Sequence, residues 1–259
     1  MILAPTIVPN LKAPAIGAIL LFATAASAVA QYTEITGTVA PGRFRLEMDA
    51  LSLVFDREGT ESFTAFGAGS FLLTTGLTKN WDLQLGAEIL ISQRYESDSF
   101  TDRNTGIGDV YVRSKWRFFE SDALSMAVIP FAKIPTNTGG VGNDSVEGGV
   151  IVPWEAYLLG FFTLNAQVEA DFVRNQNDDG YGVLWYGSAA LSREVTKRLS
   201  LYGEIDAAKT SGSNPWQTTV GFGAYLQISD FLAWDVGVYR GISRAAPDWN
   251  PVVRLNLDF

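Results

Sequence analysis

Beyond residue 40 the hydrophobic and polar positions of this chain alternate one by one. From Trp81 to Gln93, Trp81, Leu83, Leu85, Ala87, Ile89 and Ile91 fall on one side, while Asp82, Gln84, Gly86, Glu88 and Ser92 fall on the other. From Phe162 to Phe172 the apolar side reads Phe, Leu, Ala, Val, Ala, Phe, against Thr163, Asn165, Gln167, Glu169 and Asp171. Successive side chains of a β-strand point to opposite faces, so each such run predicts a strand with one apolar and one polar wall. Twelve runs are present, near 43–55, 62–77, 81–93, 107–118, 124–134, 146–156, 162–173, 183–193, 199–208, 217–227, 232–242 and 250–259. Most have 10–13 residues, matching the roughly 9–11 tilted residues that cross a bilayer and exceeding the roughly 5–6 of a soluble strand.

The connections fall into two classes. Turns of three to five residues occur at 78–80, 119–123, 157–161, 194–198 and 228–231, and longer loops at 94–106, 135–145, 174–182, 209–216 and 243–249. The link at 56–61 is of middling length. An even count, short turns on one side and long loops on the other predict an all-β fold, a single transmembrane antiparallel up-and-down β-barrel with both termini periplasmic. The seven tryptophans fit the two membrane boundaries, with Trp81, Trp116, Trp154 and Trp234 at one set of strand ends and Trp185, Trp216 and Trp249 at the other. Within the runs, the apolar face carries only Arg193 and Arg240, both near ends where they reach headgroups. A soluble β-sandwich also alternates, but it requires neither long strands nor aromatics at both ends.

The first thirty residues differ. Lys12 is their only charge, Ala13 to Ala26 is apolar, and the small residues Ala26-Ser27-Ala28 and Val29-Ala30 follow. This is the pattern of a signal peptide, residues 1–28, cleaved near Ala28 or Ala30; the apolar run is too short for a spanning helix. Residues 29–42 are then expected as a short periplasmic segment and 43–259 as the barrel in the outer membrane of a Gram-negative cell.

Composition narrows function. The chain has no Cys and no His, which excludes disulfides, thiolate nucleophiles and Ser-His catalysis. A formal charge of −9 argues against nucleic acid as partner. No phosphate-binding glycine loop or metal-ligand motif appears, so neither catalytic residues nor a cofactor is expected. Carboxylate-only chemistry stays open, since Glu169/Asp171 and Glu204/Asp206 each put two acids on one face.

With the apolar face towards lipid, the polar face lines the lumen. Arg113, Lys115, Arg117 and Lys133 form a basic strip, and Glu169, Asp171, Glu204 and Asp206 an acidic one. The two strips either set a field across a pore or pair across a filled interior, and twelve strands lie between the filled eight and the open sixteen. Tyr186, Tyr202, Tyr225 and Tyr239 also face inward, either as a stacking surface for an aromatic solute or as filler. Glu96, Asp98, Asp102, Asp144, Asp178 and Asp179 lie in the long loops, as solvated acids or as holders of divalent cations beside lipopolysaccharide phosphates.

Three stretches resemble known proteins. Val253 to Phe259, ending in Phe, resembles the C-terminal targeting strand that the outer-membrane insertion machinery recognises. Gly106-Ile107-Gly108-Asp109-Val110 with Lys115, and Pro130-Phe131-Ala132-Lys133-Ile134-Pro135-Thr136, resemble strand openings of the outer-membrane transporter family grouped under the meta-pathway of phenol degradation. That resemblance implies passive, porin-like passage of small aromatic or hydrophobic solutes and carries no catalytic residue with it. The alternatives are a closed structural or adhesive barrel and an enzyme using carboxylates.

Overall fold

The computed structural model describes residues 32–159, 161–175, 180–211 and 215–259. The leader expected at residues 1–28 and the acids Asp178 and Asp179 fall outside them. The described residues form fifteen strands and no helix: β1 (Phe44–Glu58), β2 (Glu61–Ala68), β3 (Ser70–Thr78), β4 (Trp81–Ala87), β5 (Leu90–Glu96), β6 (Thr101–Gly106), β7 (Val110–Glu120), β8 (Leu124–Ile134), β9 (Glu147–Leu158), β10 (Phe162–Arg174), β11 (Tyr181–Thr196), β12 (Leu199–Thr210), β13 (Gln217–Ser229), β14 (Leu232–Gly241) and β15 (Asn250–Asp258).

Three pairs are halves of one spanning strand: β2 and β3 break at Gly69, β4 and β5 at Glu88–Ile89, and β6 and β7 at Ile107–Asp109. Twelve strands therefore cross, as the alternation predicts. Every strand ladder is antiparallel, and β15 returns to pair with β1, from Arg45 opposite Asp258 to Ser52 opposite Val252. Phe259 adds the last rung, exchanging backbone bonds of 2.8 and 2.9 Å with Phe44 while their rings stack. Closure removes the sheet edges that a bilayer does not tolerate.

The outward face carries the exposed apolar side chains, among them Leu83, Leu85, Val150, Val168, Phe172, Leu201, Ile205, Phe222, Val236 and Val238. Six of the seven tryptophans are exposed on it; Trp154 is half-buried. The guanidinium of Arg240 lies 5.1 Å from the Trp249 ring, and that of Arg193 5.2 Å from Phe161, so both outward arginines cover girdle aromatics.

Three expectations are corrected at the long-loop rim. Residues 94–106 are mostly hairpin: β5 runs to Glu96 and β6 starts at Thr101, with Arg94 opposite Arg103. Glu96 and Asp102 are therefore strand residues, and Glu96 pairs with Arg94 at 2.6 Å. The link at 56–61 is a tight turn at Gly59-Thr60, with Gly59 at φ +63°, a conformation that costs glycine little.

The breaks at Gly69, Glu88–Ile89 and Ile107–Asp109 reverse which side chains face inward, while the hairpin itself, nearly all polar, has no alternation to read. Glu88 is lumenal, and beyond the break the odd-numbered Ile91 and Gln93 are the buried ones. The Glu88 carboxylate accepts the Asp109 amide at 3.2 Å, where a β-carbon on Gly108 would fall 2.2 Å from it.

Above the break β6 has no strand on its far side. The 135–145 loop covers that edge instead. Thr138 donates its amide to the Ile107 carbonyl at 2.9 Å, and its hydroxyl oxygen accepts the Ile107 amide at 3.0 Å. A clasp holds this loop. Asp109 Oδ1 accepts from the amides of Thr136 and Asn137, each at 3.0 Å, and from the Asn137 side chain at 2.9 Å. Lys133 Nζ lies 3.1 Å from Asp109 and 2.8 Å from Glu147, all three being buried. From the clasp the loop turns inward, and Val141 packs on Ile91 out of contact with solvent.

Removing one partner of a buried charged cluster costs roughly 3–5 kcal/mol. Lys133→Met should therefore release the loop while the ladders keep the barrel closed. Limited proteolysis should then nick residues 135–145 in Lys133→Met and spare the native chain, with both still running as folded, heat-modifiable barrels. Equal resistance would show that the clasp does not hold the loop.

Candidate functional site

The interior is polar and is crossed by a segment that the sequence reading placed elsewhere. Residues 29–42 were expected in the periplasm. Their described part, from residue 32 onwards, instead enters the barrel, because its polar groups find partners on the lumen wall. Thr33, Glu34 and Thr36 are fully buried there. This strap starts near the long-loop rim and ends at Pro41, which pairs with Gly76 near the short turns.

Its anchors follow the chain. Glu204 on β12 accepts the backbone amides of Tyr32 at 3.1 Å and Thr33 at 2.6 Å, and the Thr33 hydroxyl at 2.6 Å. Gln167 on β10 accepts the Glu34 amide at 2.6 Å. The Glu34 carboxylate turns to β7, where Arg113 bonds it and Lys115 Nζ lies 3.7 Å away. Asp82 on β4 accepts the Val39 amide at 3.2 Å. Gly76 is needed at the exit, since a β-carbon there would sit 2.2 Å from the Val39 carbonyl oxygen. Apart from the Pro41–Gly76 bridge and the Thr38 hydroxyl, which donates to the Lys79 carbonyl at 2.8 Å, side chains of the wall make the anchoring contacts.

The expected charge strips exist but do not pair with each other. Of the basic strip, Arg113 and Lys115 are buried and answered by Glu34 of the strap. Lys133 belongs to the clasp. Arg117 sits at the short-turn rim, bonded to the Lys79 carbonyl and 3.1 Å from Glu120; it does not line the buried lumen. On the acidic side, Glu204 holds the strap, Asp206 accepts the Thr219 hydroxyl, and Glu169 accepts the Gln167 amide at 3.4 Å. Asp171 has one buried oxygen without a hydrogen-bond partner. The strap thus bridges opposite sides of the wall, giving a carboxylate to the cations and amides to the acids.

Three of the four inward tyrosines are buried, and Tyr225 is half-buried. Tyr202 donates to Asp235 at 2.8 Å, Tyr225 to Gln227 at 3.1 Å, and Tyr239 to Glu204. Two of the rings lie flat against β13: β-carbons on Gly221 and Gly223 would each fall 2.2 Å from ring atoms of Tyr239 and Tyr202. Tyr186 and Tyr239 join Val173, Leu184 and Ala208 in a buried cluster around Tyr32 of the strap. The alternation located the four wall tyrosines and missed Tyr32, which lies outside any strand.

Other lumen groups escaped the sequence reading. Arg254 bonds Asp49 at 2.6 Å across the β1–β15 seam, and both are buried. Their inward parity on the first and last runs was the available signal. Among the described residues no cluster of carboxylates is arranged to hold a metal ion.

The fold has solved counterparts. An outer membrane channel from Pseudomonas putida F1 superposes with a TM-score of 0.66 at 14% identity, covering 86% of this chain and 98% of that one. The NanC porin gives 0.53 at 8% identity, over 81% of this chain and 100% of that one. A KdgM porin in complex with disordered oligogalacturonate gives 0.51 at 10% identity, over 84% and 98%. At such identities the likeness is one of fold. No curated protein matches the chain. The family model described as the putative MetA-pathway of phenol degradation matches residues 29–259, and the chain belongs to that family.

Proposed function

We propose that this protein is an outer-membrane channel for passive passage of small molecules, reaching that membrane after removal of its leader, with the long loops outside, the C-terminal end periplasmic and the mature chain starting at the long-loop side of the lumen, where Tyr32 lies, in place of the periplasmic start the sequence predicts. The observation that carries this reading is the way the lumen is filled. Its obstruction is a single extended strap held by side-chain hydrogen bonds, ion pairs and one apolar cluster at Tyr32, not by a strand ladder. Such contacts open locally at far less cost than the wall. Buried polar atoms without protein partners, including both side-chain atoms of Asn165 and of Asn256, are suited to water or a polar solute. The family's description makes phenolic or related small solutes the expected cargo, and the KdgM porin of similar fold was captured in complex with an oligogalacturonate. Among the described residues no catalytic constellation competes: Glu204 holds the strap, Asp206 accepts the Thr219 hydroxyl and Glu169 accepts the Gln167 amide.

A second route is favoured by the missing strand beside β6. An apolar solute that enters the lumen and leaves sideways into the membrane needs a gap in the ladder, and the 135–145 loop is what closes the one at β6. Release of the clasp at Asp109 and Lys133 opens this route without unzipping any strand pair.

In planar bilayers the native protein should give small current steps, and deletion of residues 32–40 should enlarge them several-fold. Glu34→Ala leaves Arg113 and Lys115 without their counter-charge, so the reversal potential should move towards anion preference. Silent insertion of both native and deleted forms would return the bet to a closed structural or adhesive barrel. For the lateral route, the absence of native cysteine makes Thr105→Cys with Thr138→Cys a clean pair for a short bifunctional thiol cross-linker. Cross-linking should spare ionic current and depress transfer of apolar solutes into vesicles; an unchanged transfer rate rules the route out.

A further inference from the structure

Tyr32 is the one aromatic ring of the strap among the described residues, and its surroundings have the form of a binding site. Its ring centroid lies 4.4 Å from that of Tyr239, at an interplanar angle of 57°. Val173, Leu184, Tyr186 and Ala208 complete an apolar enclosure around it. At the far end, the phenolic hydroxyl donates to Asn250 Oδ1. Asn250 is committed to that role, because its Nδ2 donates to the Leu53 carbonyl at 2.7 Å and so leaves the amide oxygen facing the ring. The enclosing residues come from β10, β11, β12, β14 and β15. None belongs to the strap.

This is a site for a para-substituted phenol: apolar side chains around the ring, one tyrosine ring in tilted contact, and one oriented acceptor for the hydroxyl. The strap fills it with a residue of the same chemistry. We propose that Tyr32 is a resident stand-in for a phenolic solute, and that such a solute entering from the long-loop side binds by displacing the Tyr32 side chain. Displacement removes the ring contact that seats the first residues of the strap, next to where Glu204 grips their backbone. Solute binding and loosening of the strap are thereby one event, a coupling that requires the two occupants to exclude each other. The inference rests on the channel reading for its purpose, but the site itself is testable without any transport.

The experiment is chemical rescue in detergent, using the mature protein and p-cresol, the free equivalent of the tyrosine side chain. Tyr32→Ala vacates the enclosure while leaving every wall strand intact, so the barrel still folds. Its heat-modifiability transition should fall below that of the native protein and be restored by p-cresol. Toluene, which lacks the hydroxyl, should bind the variant about tenfold or more weakly, because it leaves the Asn250 oxygen buried and unpaired. Tyr32→Ala combined with Asn250→Leu should lose this preference and take both compounds alike. The native protein should bind p-cresol more weakly than Tyr32→Ala, since its own side chain competes. Tyr32→Phe supplies the check on the hydroxyl within the chain, and should be destabilised less than Tyr32→Ala. The proposal is overturned if p-cresol fails to protect Tyr32→Ala, or protects it no better than toluene. A protein that binds p-cresol as described yet passes no current would sink the channel reading alone; one that conducts but shows no rescue would sink the site alone.

Discussion

An unpaired backbone amide or carbonyl in hydrocarbon costs several kcal/mol, and that constraint organises the whole molecule. It dictates that the wall be one closed antiparallel ladder, sealed where Arg45 to Ser52 meet Asp258 to Val252. It also dictates what happens where the ladder fails. Three adjacent strands break at Gly69, Glu88–Ile89 and Ile107–Asp109, and above those breaks β6 has an open side. The chain meets the requirement there with a loop, laying Thr138 against Ile107 and tying the loop down through Asp109, Lys133 and Glu147. Residues 106–110 and 130–136, the stretches that resemble the family at sequence level, are the ones that build this repair. Their glycines sit where a backbone or carboxylate comes too close for a β-carbon: Gly106 against the Thr138 carbonyl, Gly108 against Glu88.

The interior obeys a second rule, that buried charge must be answered. Arg113 and Lys115 face the lumen on one side, and Glu169, Asp171, Glu204 and Asp206 line another part of it. A twelve-stranded wall is wide enough that these groups need not touch, and they do not. The strap satisfies both sides with one short segment because an extended peptide presents amide donors and, at Glu34, a carboxylate. Its position is thus set by electrostatics and hydrogen bonding, and Tyr32 is the one point where a ring is enclosed by apolar and aromatic side chains.

Much of this was legible in the sequence and some was not, for physical reasons. A period of two marks any strand with one face in lipid, so the alternation located all twelve crossings, and the lumen side of Arg113, Lys133, Glu204 and the tyrosines came with it. The hairpin of β5 and β6 resembles a loop in sequence because residues 94–106 hold almost no apolar side chains, so the strand pair shows no alternation. Residues 32–40 were misplaced because an extended segment bonded through its backbone and through Glu34 carries no periodic signal. Arg117 was assigned to the lumen on parity alone, which specifies a face and not a height; it lies at the rim.

What separates the wall from its contents is the kind of bond each relies on. The wall is held by strand ladders whose opening exposes backbone to lipid, and no small solute supplies enough binding energy to offset many such rungs. The strap and the clasp are held by side chains facing a polar interior, where water or a solute replaces a lost partner at modest cost. On the proposed reading, conformational change is expected at two elements, Tyr32 to Val39 and the 135–145 loop. They lie on different paths, one along the lumen and one through its side. A solute able to occupy the Tyr32 enclosure acts on the first. On that reading, an apolar solute leaving sideways needs the clasp as well as the strap to yield, whereas a polar one needs the strap alone.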